Sequence, residues 1–105
     1  MRAERGLEMR VIARSTLRAF WERRPDAEDS LRAWFKEAEH AAWKSPNEVK
    51  ARYGHASVLR NNRVVFNICG NKYRLVVWIN YAYGVVYIRF VGTHKEYDEI
   101  EAETI

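Results

Sequence analysis

The spacing of apolar residues changes once along this chain, near residue 60. Before that point Leu17, Phe20 and Trp21 recur at i, i+3 and i+4. Leu31, Trp34, Phe35, Ala38 and Ala42 extend the same helical period over a longer stretch. Beyond it, "RVVFNIC", "KYRLVVWIN" and "VVYIRFV" are runs of β-branched and aromatic residues, the composition of strands. A short apolar run, "RVIA", predicts one further strand over Arg10–Ala13 ahead of the helices.

Boundary residues sharpen these elements. Ser15 is placed to cap the first helix. Arg24-Pro25 ends it, because proline disfavours helical geometry in the residue before it. Asp26 restarts a helix, with Asp29 three residues on. "SPNE" at 45–48 supplies a serine cap, a proline at the first helical position and a glutamate at the third. That pattern predicts a short helix running to about Tyr53 and stopping at Gly54. Gly70-Asn71 suits a two-residue hairpin loop, and "YAYG" at 81–84 suits a second tight turn. Residues 1–8 are polar and aperiodic and read as a frayed extension, which leaves 9–105 as a single domain. The expected class is α+β, with the N-terminal strand and the helices packed on one face of a small, mainly antiparallel sheet.

The Gly70-Asn71 loop fixes a register. It sets Cys69 opposite Lys72, Ile68 opposite Tyr73, Asn67 opposite Arg74, Phe66 opposite Leu75 and Arg63 opposite Trp78. Opposed residues share a face, so Ile68, Tyr73, Phe66, Leu75, Val64 and Val77 line the core side. The second turn sets Ile79 against Val86, Val77 against Ile88 and Leu75 against Phe90, adding these to the core. Arg89 then falls opposite Val76 and diagonal to Arg74. A bulge would shift this parity by one residue. The outer face is expected to carry Arg63, Lys72, Arg74, Trp78, Tyr87 and Arg89, with Asn67 and Cys69 among them.

Charge changes the reading of that face. The chain of 105 residues carries a net charge of +4, which is modest, but no Asp or Glu occurs between Val49 and Lys95. The same stretch holds eight Lys or Arg residues together with His55 and His94. A cationic face with exposed rings suits unpaired RNA, whose phosphates take the charge and whose unstacked bases take the rings. Cys69 is the sole cysteine, which excludes an internal disulfide and a cysteine-based zinc site. No apolar run reaches the length of a membrane span and no signal peptide is visible, so the expectation is a cytoplasmic protein without a membrane partner.

The candidate chemistry lies near the C-terminus, in "VGTHKEYDEI". Gly92 can end the last strand and Thr93 can cap a helical turn, which sets His94 and Tyr97 on one side of it. A histidine and a tyrosine beside arginines suit cleavage of RNA, which brings its own nucleophile, the 2′-hydroxyl. The protein has to move that proton, stabilise the phosphorane-like transition state and protonate the leaving 5′ oxygen. This chemistry calls for neither metal nor cofactor.

"RVVFNICGNKYRLVV" followed by "VYIRFVGTHKEYDEI" resembles the HigB toxins of bacterial type II toxin–antitoxin systems, within the RelE/ParE-like superfamily. The resemblance extends over Met9–Ile105 and includes "WKSPNEVKARY". It implies a RelE-like fold and a ribosome-dependent endoribonuclease that cuts mRNA in the ribosomal A site. It also implies a HigA-type antitoxin with a helix-turn-helix DNA-binding domain. On this resemblance Arg74 is the phosphate-binding, transition-state arginine. His94 is the acid or base, and Tyr97 is a stacking or assisting residue. Arg63, Asn67, Asn71, Lys72, Trp78, Tyr87, Arg89 and Lys95 are the expected RNA contacts. RelE itself carries lysines on the strand before the hairpin, where this chain has Val65 and Asn67; a lysine base from that strand is absent unless Lys72 reaches across. ParE-like relatives use the fold against DNA gyrase, so a non-catalytic cationic module binding gyrase, RNA or another protein is the alternative reading.

Overall fold

A computed structural model describes residues 8–105; all but the last residue of the extension expected at 1–8 lies outside the described residues. The elements run β1 (Arg10–Ile12), α1 (Arg14–Arg23), a 3-10 turn (Pro25–Ala27), α2 (Glu28–His40), α3 (Pro46–Arg52), β2 (Ser57–Val58), β3 (Arg63–Ile68), β4 (Tyr73–Asn80), β5 (Val85–Thr93) and α4 (His94–Asp98). Five strands form one sheet in the order β1-β5-β4-β3-β2. β1 joins β5 in parallel, and the other neighbours are antiparallel. Among the described residues no helix is long and apolar enough to cross a membrane.

The helices cover one face, as the α+β pattern requires. α1 buries Leu17, Phe20 and Trp21. It begins two residues earlier than its serine suggests: Ala13 is the N-cap, and Ser15 falls inside the first turn. The Arg24-Pro25 break is present, followed by the single 3-10 turn. α2 buries Leu31, Trp34 and Ala38 but stops at His40. Ala42 is therefore off the stripe and exposed, and Trp43 fills the core beside it. The expected box does not form at α3, and Glu48 instead bonds the residue before the cap. Glu48 accepts the Lys44 N–H at 2.9 Å, while the Ser45 side chain makes no capping bond.

Phe66 is the centre of the helix–sheet contact. Its ring lies 5.0 Å from Tyr53, 5.4 Å from Trp34 and 6.4 Å from Trp43. Burial raises the Tyr53 hydroxyl far above its ordinary range, and the hydrogen bond it donates to Glu37 acts in the same direction. Glu37 also pairs with Arg52, so α3 is tied to α2 across this cluster.

The β3–β4 register is the one the hairpin predicts, from Ile68↔Tyr73 to Arg63↔Trp78. The β4–β5 register is not. It starts as expected at Ile79↔Val86 and Val77↔Ile88, then shifts between Val76 and Val77. Arg89 is the extra residue of a bulge, Phe90 opposes Val76, and Val91 opposes Leu75. Phe90 thus leaves the core face, and Val91 packs against the core in its place.

Two further features depart from expectation. Cys69 and Lys72 lie beyond the last bridged pair, in a turn where Cys69 and Gly70 both have positive φ. Strand alternation no longer applies there, and both residues turn toward the helices: Cys69 Sγ contacts the Asp26 carbonyl at 3.4 Å, and Lys72 pairs with the Asp26 carboxylate. The outer face is also not uniformly open. Asn61 donates to the Glu103 carbonyl at 3.1 Å, and Arg63 to the main-chain oxygen of Ile105. Val65 and Val76, which point away from the helices, are 3% and 0% exposed. The segment after α4 therefore returns across the sheet to the start of β3.

Candidate active site

The turn 69–72 projects Asn71 toward two elements. Its amide oxygen accepts Arg74 Nη1 at 2.8 Å. Its main-chain carbonyl faces the same nitrogen at 3.5 Å and is hydrogen-bonded to His94 Nε2. A carbonyl can only accept, so Nε2 carries the proton and Nδ1 is the acceptor nitrogen of the neutral ring. One residue thus gathers the strand arginine and the helix histidine at a single point.

The backbone explains how each side chain arrives there. Arg74 pairs with Gly92 across β4–β5, and Tyr73 with Thr93, so β5 delivers α4 directly beside Arg74. Thr93 and Glu96 form a complete capping box. The Glu96 N–H bonds Thr93 Oγ1 at 3.2 Å, and Glu96 Oε1 accepts the Thr93 N–H at 2.9 Å. The Thr93 N–H, foremost, holds the Glu96 carboxyl below its usual value. Gly92 must lack a side chain. A Cβ there would stand 2.6 Å from both Glu96 Oε1 and the tip of the Phe90 ring. The bulge at Arg89 places that ring here, where it also meets Tyr97, centroid to centroid 6.4 Å.

Of the residues expected from sequence, Arg74, Asn71, His94 and Tyr97 gather at this end of the sheet. Asn67 lies opposite Arg74, exposed, and Lys95 is exposed on α4. A second group forms at the other end. Trp78 and Tyr87 stack at 4.8 Å, and the Arg63 guanidinium sits 5.8 Å over the Trp78 ring. Arg89 joins this group in a hollow shared with Asn61, Asn62 and Glu103. The bulge thus keeps Arg89 on the outer face but beside Trp78, away from the diagonal to Arg74. Lys72 belongs to neither group, because its ammonium is engaged by Asp26 on the helix side.

His55 borders the site without having been singled out by sequence. It lines a hollow with Asn67, Gly70 and Asn71. The available signal was its place in the acid-free stretch. Its sequence neighbours, "YGHAS", carry no periodicity that would have aimed it.

The chain is also similar in sequence to known proteins. The family described as the HigB toxin, RelE-like toxic component of a toxin–antitoxin system, matches residues 27–100. An mRNA interferase toxin HigB of Escherichia coli K12 is 30% identical over 92 residues, 86% of this chain and 88% of the relative. An mRNA interferase HigB of Shigella flexneri matches to the same extent. With the four-helix, five-stranded fold of the described residues, these matches establish that the chain belongs to the HigB family of RelE-like toxins.

Proposed function

We propose that this protein is an mRNA interferase, an endoribonuclease that cuts translated messages and so arrests translation. The observation that carries the reading is the convergence of Arg74 and His94 on Asn71. A phosphate entering there meets a guanidinium able to stabilise its developing charge, and an imidazole with a free acceptor nitrogen beside it. The 2′-hydroxyl of the RNA is the nucleophile. His94 moves a proton at Nδ1, or at Nε2 once the Asn71 carbonyl releases it. Tyr97, packed on Phe90, stacks on a base or assists proton transfer. His55, across the hollow from Asn71, is the second imidazole within this neighbourhood.

Exposed cations and half-buried rings extend the site into a binding surface. Asn67 and Lys95 flank the reacting phosphate. Arg63, Arg89, Trp78 and Tyr87 lie roughly 13 Å further along β4, taking about 3.3 Å per strand residue. That spacing suits a nucleotide one or two removed from the cut. Cleavage takes place on the ribosome, in the A site, and a HigA-type helix-turn-helix antitoxin neutralises the toxin.

Primer extension on cellular mRNA after induction tests this reading. The parent protein yields discrete cuts within codons, and Arg74→Ala or His94→Ala lowers cutting by about a hundredfold or more. Growth arrest without cuts, or full cutting by a well-folded Arg74→Ala variant, overturns it. Supplying the message with and without ribosomes tests the ribosome requirement.

A further inference from the structure

The hairpin turn that holds Arg74 and His94 has no acid of its own, since none occurs between Val49 and Lys95. Its counter-charge is imported from the 3-10 turn between α1 and α2. There Asp26 uses all three of its oxygens on the hairpin. Oδ1 accepts the Tyr73 hydroxyl at 2.7 Å, Oδ2 pairs with Lys72 Nζ, and the main-chain carbonyl meets Cys69 Sγ at 3.4 Å. Tyr73 is itself wedged edge-on against Phe20 of α1 at 5.1 Å. Three of the four residues flanking Gly70 and Asn71 are thus anchored to a single acidic residue on the helical layer.

We propose that Asp26 is a positioning residue of the active site, holding the 69–72 turn so that Asn71 presents its two oxygens to Arg74 and His94. This rests on the functional reading above. Asp26 touches no substrate; it acts through Lys72, Tyr73 and the turn. The turn needs such a hold, because two successive residues, Cys69 and Gly70, have positive φ and the ladder ends at Ile68↔Tyr73. A side chain other than glycine in that conformation is uncommon and persists when its surroundings fix it. The Lys72 hydrogen bond and charge lower the Asp26 carboxyl, and Asp26 in turn raises the Lys72 ammonium, as a formed pair requires.

The test uses the full chain in the Asp26→Asn form, which keeps the shape and removes the charge, with Lys72→Met as a second variant. The expected result is a fall in kcat of about tenfold or more, with KM within a few-fold, since a small misplacement of reacting groups costs rate more than binding. The His94 ring resonances should move in both variants while thermal melting shifts by only a few degrees. The swapped pair, Asp26→Lys with Lys72→Asp, should recover part of the rate. Unchanged His94 resonances overturn the proposal, as does a rate loss that only follows a lowered melting temperature. Moved resonances with cleavage unchanged leave the anchoring in place and retire the Arg74–His94 chemistry instead.

Discussion

Asn71 gives up both of its oxygens inside the free protein, the amide oxygen to Arg74 and the main-chain oxygen to His94. On the proposed mechanism, substrate binding exchanges these bonds for bonds to RNA. A DNA strand offers Arg74 a phosphate but offers His94 no 2′-hydroxyl. Gly92 is the residue on which the rest of this arrangement depends. Gly92→Ala forces either the Glu96 carboxylate or the Phe90 ring aside, at a cost of about 1–3 kcal/mol by urea unfolding, with cleavage falling further than stability accounts for. Glu96 gives the site a pH limit. Its folded carboxyl titrates below its ordinary value, so its contribution is complete above about pH 4.5 and is lost as pH falls through the folded value. Amide exchange in α4 should rise selectively below that point, and Glu96→Gln should remove the dependence.

At the scale of elements, the β3–β4 hairpin was legible from sequence because turn and alternation agree: Gly70 supplies the positive φ, and Phe66, Leu75, Val64 and Val77 share the apolar face. The β5 bulge was not legible. "YIRFVG" alternates plausibly with Phe90 inward, and only the packing of Phe90 against Tyr97 and Gly92 decides against it. β2 is two residues long and carries no periodicity. Ser15 misled because α1 is entered from an extended Ala13, with no side-chain cap to announce it. The cost of losing the central contact between layers is large. Phe66 is 1% exposed among Trp34, Trp43 and Tyr53, so Phe66→Ala should lower unfolding free energy by about 3–5 kcal/mol in a denaturant melt.

Across the whole molecule, charge is divided between a hairpin-rich middle without acids and acidic ends. The C-terminal segment returns to the Arg63 and Arg89 group, where Glu103 shares its hollow, while the Arg74 group lies at the other end of the sheet. Binding of single-stranded RNA should weaken with salt, by about 0.7 in log–log slope for each phosphate held. By fluorescence anisotropy, Arg89→Ala should reduce that slope by one such step. Lys72→Met should leave the slope alone, since its ammonium is engaged by Asp26.

β1 lies at one end of the chain and pairs with β5 near the other, Arg10 with Val85, and α4 follows β5 directly. Pairings this distant in sequence form late. A ribosome holds the most recently added residues in its exit tunnel, so β1 waits for β5, and Asn71 for His94, until the chain through α4 has left it. No nascent fragment that stops short of α4 can bring Arg74 and His94 together on Asn71.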